Sequence, residues 1–302
     1  MQVVRTFEEL ASPASDVFLA IGIFDGVHLG HQRVIGQARD DARAAGGRAV
    51  VLTFDPHPIR VLQPDRAPLL LTSTEHKLAL IEKLGVDATV VMTFDKNFSE
   101  TPAEQFIERI SFCREVCVGS RFRFGHNRTG DVQLMKKLGL AVREIQSVLT
   151  ESGETISSSA VRQHVLAGNL DAAAAMLGRP FSILGTVEHG DHRGRALGFP
   201  TANLNPHNEA LPPNGVYAVR AILEGRSLGG VVNIGVRPTF AGTARRLEVH
   251  IFDVNEGFYG RDIEVVFVHR LRDEQKFDSI EKLRHQIAAD VTAARVILSS
   301  SS

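Results

Sequence analysis

The sequence predicts two domains of different fold class: an α/β domain with a parallel sheet, then an antiparallel β-barrel or sandwich that a final helix closes. The chain has 302 residues, and a single hydrophobic core stops growing at roughly 250–300 residues. Strand-like and helix-like segments alternate up to Arg179 and Pro180. Beyond that point, strand-like segments follow one another with little helix between them. We therefore expect one domain over residues 1–180 and a different one over residues 181–302.

In the first domain, short apolar runs alternate with segments whose apolar residues recur near the 3.6-residue helical period. The predicted strands cover residues 17–24, 48–54, 88–94 and 116–119. The predicted helices cover residues 34–45, 78–84 and 103–112; the first ends at Gly46 and Gly47 and the second at Gly85. This alternation is typical of a parallel sheet with helices on its faces, and such sheets bind ligands beyond the carboxyl ends of their strands.

In the second domain, the connections between apolar runs are rich in Gly, Pro and Asn, which favours an antiparallel barrel or sandwich. The predicted strands cover residues 183–187, 215–223, 229–234, 247–254 and 263–270. The closing helix is predicted from apolar residues that share one face: Ile280, Leu283, Ile287, Val291 and Ala294. Asp278 and Glu281 have the spacing of a capping box at the start of this helix.

The charge balance is nearly neutral, with 34 Lys and Arg against 35 Asp and Glu and a formal net charge of −1. This balance argues against nucleic-acid binding, and no apolar run approaches the ~18 residues that a membrane span needs. Cys113 and Cys117 are the 2 cysteines, too few for a disulfide framework, and we predict that both are buried small hydrophobic residues. Residues 1–10 have no apolar core of a signal peptide. We therefore expect a cytoplasmic protein with neither nucleic-acid nor membrane partners.

The first candidate site is the segment 22–31, which joins the first predicted strand to the first helix. It contains Gly26 and Gly30, which let the backbone approach a ligand closely. His28 and His31 are three residues apart, so both can face one point at a helix N-terminus, where backbone N–H groups attract phosphate. Such a site can stabilise charge at an α-phosphate while pyrophosphate leaves. The alternative is a pair of helix-start histidines beside a flexible turn.

The second candidate site is the segment 185–203, a loop rich in Gly and Arg between two predicted strands. Its composition suits a phosphate cradle, although it lacks the Gly-Lys-Ser/Thr of a Walker A loop. Thr201 and Asn203 point the same way in an extended segment, and their oxygens are hard ligands that can hold Mg²⁺ beside ATP phosphates. The alternative is a solvated loop with a Pro-Thr turn. The phosphate-binding candidates are Gly185, Gly190, Arg193, Gly194, Arg195 and Gly198.

The string His28-Leu29-Gly30-His31 resembles the His-x-Gly-His signature of the nucleotidyltransferase superfamily, whose members attack the α-phosphate of ATP. The longer segment 22–31 resembles one branch, the bifunctional bacterial FAD synthetases, which combine riboflavin kinase and FMN adenylyltransferase. The resemblance implies a Rossmann-like nucleotidyltransferase fold for the first domain, with His28 and His31 as catalytic residues. It implies ATP binding by Gly22, Phe24, Asp25, Gly26 and Gly30.

Three further segments are similar to motifs of this family. The Phe-Asp-Pro-His-Pro of residues 54–58 implies that His57 lies on the flavin side, where the residues alone would equally fit a turn. Residues 122–131 imply a flavin contact by Asn127, although the family usually has an acidic residue where this chain has Arg121. Residues 156–162 look like the family's Ile-Ser-Ser-Thr-x-x-Arg; without the resemblance they would indicate a helix cap and a surface arginine. The phosphate-binding residues implied there are Ser157, Ser158, Ser159 and Arg162.

The second candidate site resembles the riboflavin kinase domain of the same family, whose Pro-Thr-Ala-Asn string matches residues 200–203. Later matches lie at residues 215–218, 233–235, 238–240 and 248–250. The resemblance implies that Glu248 is the general base for the riboflavin 5′-hydroxyl; taken alone, Glu248 would be an exposed strand carboxylate. Alternation along residues 247–254 places Glu248 and His250 on one face. The residues implied near the flavin are Arg272, Glu274 and Phe277.

The sequence therefore predicts a bifunctional enzyme that uses ATP and Mg²⁺. The second domain would phosphorylate riboflavin to FMN, and the first would adenylylate FMN to FAD with release of pyrophosphate. One rival is an adenylyltransferase for another substrate, whose C-terminal domain only binds. The other is a non-catalytic flavin sensor or nucleic-acid regulator. The sequence leaves the state of association open, including a homo-oligomer.

Overall fold

The structure is a computed structural model that describes residues 1–10, 16–188, 198–239, 242–254 and 258–300, without the side chains of 237–239 and 242–244. It divides into two compact units. The N-terminal unit consists of Met1–Leu69 and Thr74–Ser158, and the C-terminal unit of Leu70–Ser73 and Ser159–Ser302. The domain boundary at residue 180 remains a prediction. Within the described ranges, no helix is long and apolar enough to cross a membrane.

The N-terminal unit is built on a parallel sheet, as predicted. Its strands are β1 (Gln2–Val4), β2 (Val17–Ile21), β3 (Arg48–Asp55), β4 (Ala88–Thr93), β5 (Glu115–Gly119) and β6 (Val142–Ile145). Their order is β1-β4-β3-β2-β5-β6, and every neighbouring pair is parallel. The edge strands β1 and β6 were not predicted from the sequence, because three or four residues are too few to show a period.

Helices cover both faces of this sheet. The helices of the N-terminal unit are α1 (Leu29–Ala45), α2 (Pro58–Leu62), α3 (Thr74–Glu82), α4 (Lys96–Ser99), α5 (Ala103–Arg109) and α6 (Val132–Lys137). Next along the chain are α7 (Ser158–Ala167) and α8 (Leu170–Leu177), which from Ser159 onwards belong to the C-terminal unit. Side chains of α1 and α3 pack with Phe18 and Ala20 of β2 on one face. Side chains of α5 and α6 pack with Leu19 and Ile21 on the other. Because β2 is buried on both faces, it is a continuous apolar run in the sequence.

The strand order reverses at β2. The chain proceeds from β2 to β3 and β4 on one side, and then crosses to β5 on the other side. In open α/β sheets, ligands bind at the carboxyl ends of the strands where the order reverses. The segment 22–31 follows β2, and the segment 122–131 follows β5. The topology therefore brings the predicted phosphate loop and the predicted flavin loop to the same edge of the sheet.

The C-terminal unit contains a closed antiparallel barrel, which confirms the barrel alternative. Its strands are β7 (Ser182–Glu188), β8 (Ala202–Pro206), β9 (Gly215–Leu223), β10 (Arg226–Thr239), β11 (Gly242–Ile251) and β12 (Asp262–Arg272). The order around the barrel is β10-β11-β8-β7-β12-β9, and β9 pairs with β10 to close it. The short strand β8 was not predicted, because it follows directly from the glycine-rich loop.

The chain closes with α9 (Ile280–Ser300), whose Ala294 and Leu298 pack against the apolar side chains of the barrel. The predicted capping box is wrong: the hydroxyl of Ser279 accepts the Lys282 N–H at 3.2 Å, and Asp278 forms an ion pair with the Lys282 ammonium group. Serine caps a helix by the same chemistry as aspartate, so the helix start was placed within one residue.

Both cysteines are buried in the N-terminal unit, as predicted. Burial raises the pKa of the Cys113 thiol to about 12, and burial together with nearby carboxylates raises the pKa of Cys117 to about 12 as well. Neither thiol therefore carries appreciable thiolate at neutral pH.

Candidate functional site

The loop after β2 has an unusual backbone conformation. Phe24, Gly26 and Val27 have positive φ angles of 55°, 80° and 43°. Gly22 is required by close approach, since a Cβ added there would lie 2.7 Å from the Phe24 ring. Non-glycine residues with positive φ are rare and cost energy, and such strain is concentrated at functional sites. The loop thus holds the chain in one defined path into α1.

His28 is the N-cap of α1. Its Nδ1 accepts the backbone N–H of His31 at 3.3 Å, and the residue is 6% exposed. An imidazole that accepts through Nδ1 carries the proton of its neutral form on Nε2, which makes Nε2 a donor. Capping therefore fixes both the tautomer and the orientation of the ring. The predicted oxyanion donor is specifically the Nε2–H of His28.

His31 stacks on His28 with ring centroids 3.6 Å apart and contacts the Phe24 ring edge-on at 5.2 Å. Its pKa lies well below the usual range, because burial disfavours the charged form and the positive charge of Lys77 opposes it further. Its Nδ1 is buried and has no hydrogen-bond partner among the described residues. The structure therefore brings together the two predicted histidines and keeps His31 neutral.

A segment more than 120 residues away along the chain lies against this loop. The Ser158 hydroxyl donates to the Asp25 carbonyl oxygen at 2.9 Å. A Cβ added at Gly30 would lie 3.1 Å from the His28 ring and 3.9 Å from the Ile156 carbonyl oxygen. Ser158 thus stabilises the predicted phosphate loop from outside it. Of the other candidates in this segment, Ser157 directly precedes α7, whereas Ser159 and Arg162 lie on α7 in the C-terminal unit; phosphate binding by all three remains a prediction.

The predicted flavin-side residues lie after β3 and β5. His57 is the N-cap of α2, where its Nδ1 accepts the Ile59 N–H at 3.2 Å. Asn127 is exposed in a 3₁₀ turn with a positive φ of 54°. Phe124, in the same segment, is 8% exposed and packs in the core with Phe106. Flavin binding by His57 and Asn127 remains a prediction.

In the barrel, register places three polar side chains in one row across three strands. Glu248 of β11 lies opposite Asn203 of β8 and opposite Asn233 of β10. Directly opposed residues of antiparallel strands project from the same face. The neighbours Leu247 and Val249 are 0% and 2% exposed, whereas the Glu248 side chain is 33% exposed. The predicted alternation of β11 is thus confirmed, and it presents the carboxylate on a polar face.

Arg246 connects two of these residues. Its Nε donates to the Asn203 amide oxygen at 2.5 Å and lies 3.0 Å from a carboxylate oxygen of Glu248. The Arg246 guanidinium therefore contacts both an amide oxygen and a carboxylate oxygen. Thr201, the other predicted metal ligand, is exposed just before β8.

The predicted flavin residues of the C-terminal unit divide into two groups. Glu274 accepts from the Asn214 amide at 3.3 Å, and a Cβ on Gly235 would lie 2.5 Å from its carboxylate, so Glu274 lies near the polar row. Arg272 instead forms a two-point ion pair with Asp290 of α9, at 2.8 and 3.0 Å. Its guanidinium also lies 5.7 Å from the Phe277 ring centroid. A flavin role for Arg272 and Phe277 remains a prediction.

The glycine-rich loop is only partly described. Gly190, Arg193, Gly194 and Arg195 lie outside the described residues. Gly185 lies within β7, where a Cβ would come 2.6 Å from the Asn205 carbonyl oxygen, so strand packing already requires glycine there. Gly198 has a φ of +84°, which favours glycine in the turn. Phosphate binding by this loop therefore remains a prediction.

Comparison with known proteins decides between these interpretations. Residues 11–160 match the FAD synthetase family model, and residues 177–298 match the riboflavin kinase model. The chain is 40% identical to the bifunctional riboflavin kinase/FMN adenylyltransferase of Escherichia coli K12, over 98% of this chain and 97% of that protein. The protein of the same description from Bacillus subtilis is also 40% identical, over 90% and 89%. The chain belongs to the bifunctional riboflavin kinase/FMN adenylyltransferase family.

A solved structure also matches nearly the full length of this chain. It is a Streptococcus pneumoniae crystal structure described as a macrolide-efflux protein, with a TM-score of 0.85 and 31% sequence identity. The match covers 97% of this chain and 98% of that chain. The relative order of the two domains, adenylyltransferase first and kinase second, is as the sequence predicted.

Three side chains at the candidate sites were not predicted from the sequence. Asn233 belonged to a matched string but was not singled out. Arg246 lies two residues before Glu248 in a strand, so alternation could have placed it on the same face. Lys77 gave no signal, because it precedes the predicted helix 78–84 by one residue and a lysine is ordinarily solvated.

Proposed function

We propose that the two candidate sites catalyse the two successive steps that convert riboflavin to FAD. The C-terminal unit transfers the γ-phosphate of ATP to riboflavin and gives FMN. The N-terminal unit transfers AMP from a second ATP to FMN and gives FAD and pyrophosphate. The observation that carries this proposal is the presence, in one member of this family, of both the stacked His28–His31 pair and the Asn203–Glu248–Asn233 row.

Adenylylation needs charge stabilisation rather than a covalent intermediate. A phosphate oxygen of FMN attacks the α-phosphorus of ATP, and the bond from that phosphorus to the α–β bridging oxygen breaks. Negative charge then develops on the α-phosphate and on the departing pyrophosphate. The Nε2–H of His28 and the start of α1 supply donors and a positive dipole end at this point. Neutral His31 supports the His28 ring by stacking.

Phosphorylation needs a proton acceptor. Glu248 takes the proton of the riboflavin 5′-hydroxyl while the riboflavin 5′ oxygen forms a bond to the γ-phosphorus. The bond from that phosphorus to the β–γ bridging oxygen breaks, which releases ADP. The partly exposed carboxylate is accessible on its strand face. The Nε of Arg246 lies 3.0 Å from this carboxylate and helps to orient it.

Mg²⁺ is part of this proposal. The oxygens of Asn203 and Glu248 already converge on the positive charge of Arg246, and an amide and a hydroxyl oxygen are the hard donors that this ion prefers. Thr201 and Asn203 would hold the metal, which would neutralise charge on the ATP phosphates. We also propose a cytoplasmic location, which the two buried, free thiols support.

A product trace tests the proposed function. On mixing the full chain with riboflavin, ATP and Mg²⁺, we expect FMN to appear first and FAD to follow, with one pyrophosphate released for each FAD. Chromatography of the flavins with a coupled pyrophosphate assay measures both. FAD from FMN but no FMN from riboflavin would limit the activity to adenylylation and leave the C-terminal domain as a binding domain. Neither product would support a flavin sensor.

The predicted domain boundary is tested with two fragments. We expect residues 181–302 to phosphorylate riboflavin without the N-terminal unit, because the barrel and α9 enclose their own core. A fragment of residues 159–302, which keeps α7 and α8, should be equally active and more stable to heat, because these helices belong to the same compact unit. If only the longer fragment is active with saturating Mg²⁺–ATP, the boundary lies near residue 159.

A further inference from the structure

Lys77 is a buried lysine at the carboxyl edge of the parallel sheet. It lies on α3 and is 6% exposed. Its ammonium group donates to the Phe54 carbonyl oxygen at 3.3 Å and to the Ile23 carbonyl oxygen at 3.4 Å. Lysine is almost never fully buried unless it is paired, because desolvating the ammonium group is costly. The two carbonyl contacts therefore indicate a specific structural role for this lysine.

Lys77 helps to hold the loop after β2 against β3. The Gly22 N–H donates to the Leu52 carbonyl oxygen at 3.1 Å, and the Thr53 hydroxyl donates to the Ile23 carbonyl oxygen at 3.0 Å. Lys77 adds a charge-assisted contact to the same Ile23 oxygen. Three contacts thus fix the start of the loop.

Phe24, the next residue, links the start of the loop to the two histidines. Phe24 follows Ile23 directly, has a φ of 55° and is 1% exposed. Its ring meets the His31 ring edge-on at 5.2 Å, and His31 stacks on His28. In a close-packed interior, a displacement of Ile23 displaces Phe24 and with it the histidine pair.

Charged groups surround Lys77 on several elements. Asp25 from the loop, Asp55 from the end of β3 and Glu75 from α3 favour its protonated form, but burial dominates and lowers the pKa of Lys77 to about 8. The charge of Lys77 in turn lowers the pKa of His31, which lies on α1. Lys77 is therefore mostly cationic at pH 7 and loses its charge as the pH rises through its pKa of about 8.

We propose that Lys77 is a positioning residue of the adenylylation site: its ammonium group fixes the loop that carries Phe24 and His28, and its buried positive charge supports the departure of pyrophosphate. This inference rests on the proposed roles of His28 and His31. Because neutral lysine forms weaker hydrogen bonds and carries no charge, the contribution should disappear as the pH rises above about 8.

The test compares the full-length parent with Lys77→Met, which keeps the length of the side chain and removes its charge and donors. At pH 7, we expect kcat/KM for FMN adenylylation to fall about 10²-fold, as a small misplacement of catalytic groups typically causes. The pH dependence of kcat/KM reports groups of the free enzyme. We expect kcat/KM of the parent, divided by kcat/KM of the variant, to shrink by roughly tenfold for each pH unit above a pKa of about 8.

A purely structural role would leave that ratio constant with pH, so a constant ratio, or a parental rate at pH 7, overturns the proposal. Riboflavin phosphorylation by the same chain serves as the internal control, and Lys137→Met removes an exposed lysine of the same unit. If the methionine variant does not fold, Lys77→Gln replaces it, since its amide can donate to the same carbonyl oxygens without a charge. If His28→Ala adenylylates FMN at the parental rate, the site assignment itself fails, whatever Lys77 does.

Discussion

His28→Ala and His28→Asn are each expected to lower the rate of FMN adenylylation by about 10²–10³-fold, because each removes the Nε2–H that we propose to face the developing charge. The two variants differ in stability. Alanine also removes the cap of α1, at a cost of about 1 kcal/mol, whereas asparagine is itself a good N-cap and should unfold at nearly the parental temperature. Flavin chromatography and thermal unfolding measure the two effects separately.

His31→Ala should cause a loss of similar size, since it removes the ring that stacks on His28 at 3.6 Å. Riboflavin phosphorylation should remain at the parental rate in all three variants. His285→Ala, which changes an exposed histidine of α9, provides the matched control and should leave both activities intact. Parental adenylylation by His28→Asn would remove the Nε2–H of His28 from the mechanism.

Glu248→Gln is expected to lower the rate of riboflavin phosphorylation by about 10²–10⁴-fold, the range typical of general-base catalysis. Glutamine keeps the shape of the side chain and can still accept a hydrogen bond from Arg246 or from the riboflavin hydroxyl. KM for riboflavin and for ATP should therefore change little, while kcat falls. Steady-state kinetics with each substrate varied in turn separates these constants.

FMN adenylylation by the same Glu248→Gln protein should remain parental, which shows that the N-terminal unit is folded, and an unchanged thermal unfolding profile would show the same for the barrel. Glu281→Gln alters an exposed carboxylate of α9 and should leave both rates unchanged. A loss of phosphorylation rate of no more than about threefold would be smaller than general-base catalysis contributes and would exclude Glu248 as the base. A raised KM with unchanged kcat would make Glu248 a residue that positions riboflavin instead.

The periodicity of the sequence was sufficient for the central elements of the fold. The strands β2, β3, β4 and β5 are buried on both faces, and their continuous apolar runs are visible without any tertiary information. Short elements were not visible in this way. The strands β1 and β8 and the helices α2 and α4 have three to five residues each, and tertiary contacts rather than local pattern stabilise them.

Local sequence also located the candidate sites, because chemistry that depends on close spacing leaves a local pattern. His28 and His31 are three residues apart on one helix start, and Glu248 alternates with apolar neighbours along one strand. Backbone geometry then converts such spacing into shared direction. For this reason, strand alternation alone predicted the face of Glu248 correctly.

The sequence by itself determined the two fold classes, their order along the chain and the segments proposed as candidate sites, since each depends on residues close together in the chain. The tertiary structure alone decided which distant residues meet. Ser158 lies against Asp25, Asn203 and Asn233 flank Glu248, and Arg272 pairs with Asp290. It also decided that Lys77 is buried against the loop after β2. Such contacts depend on strand register and packing between segments far apart in the chain, and no local period encodes them.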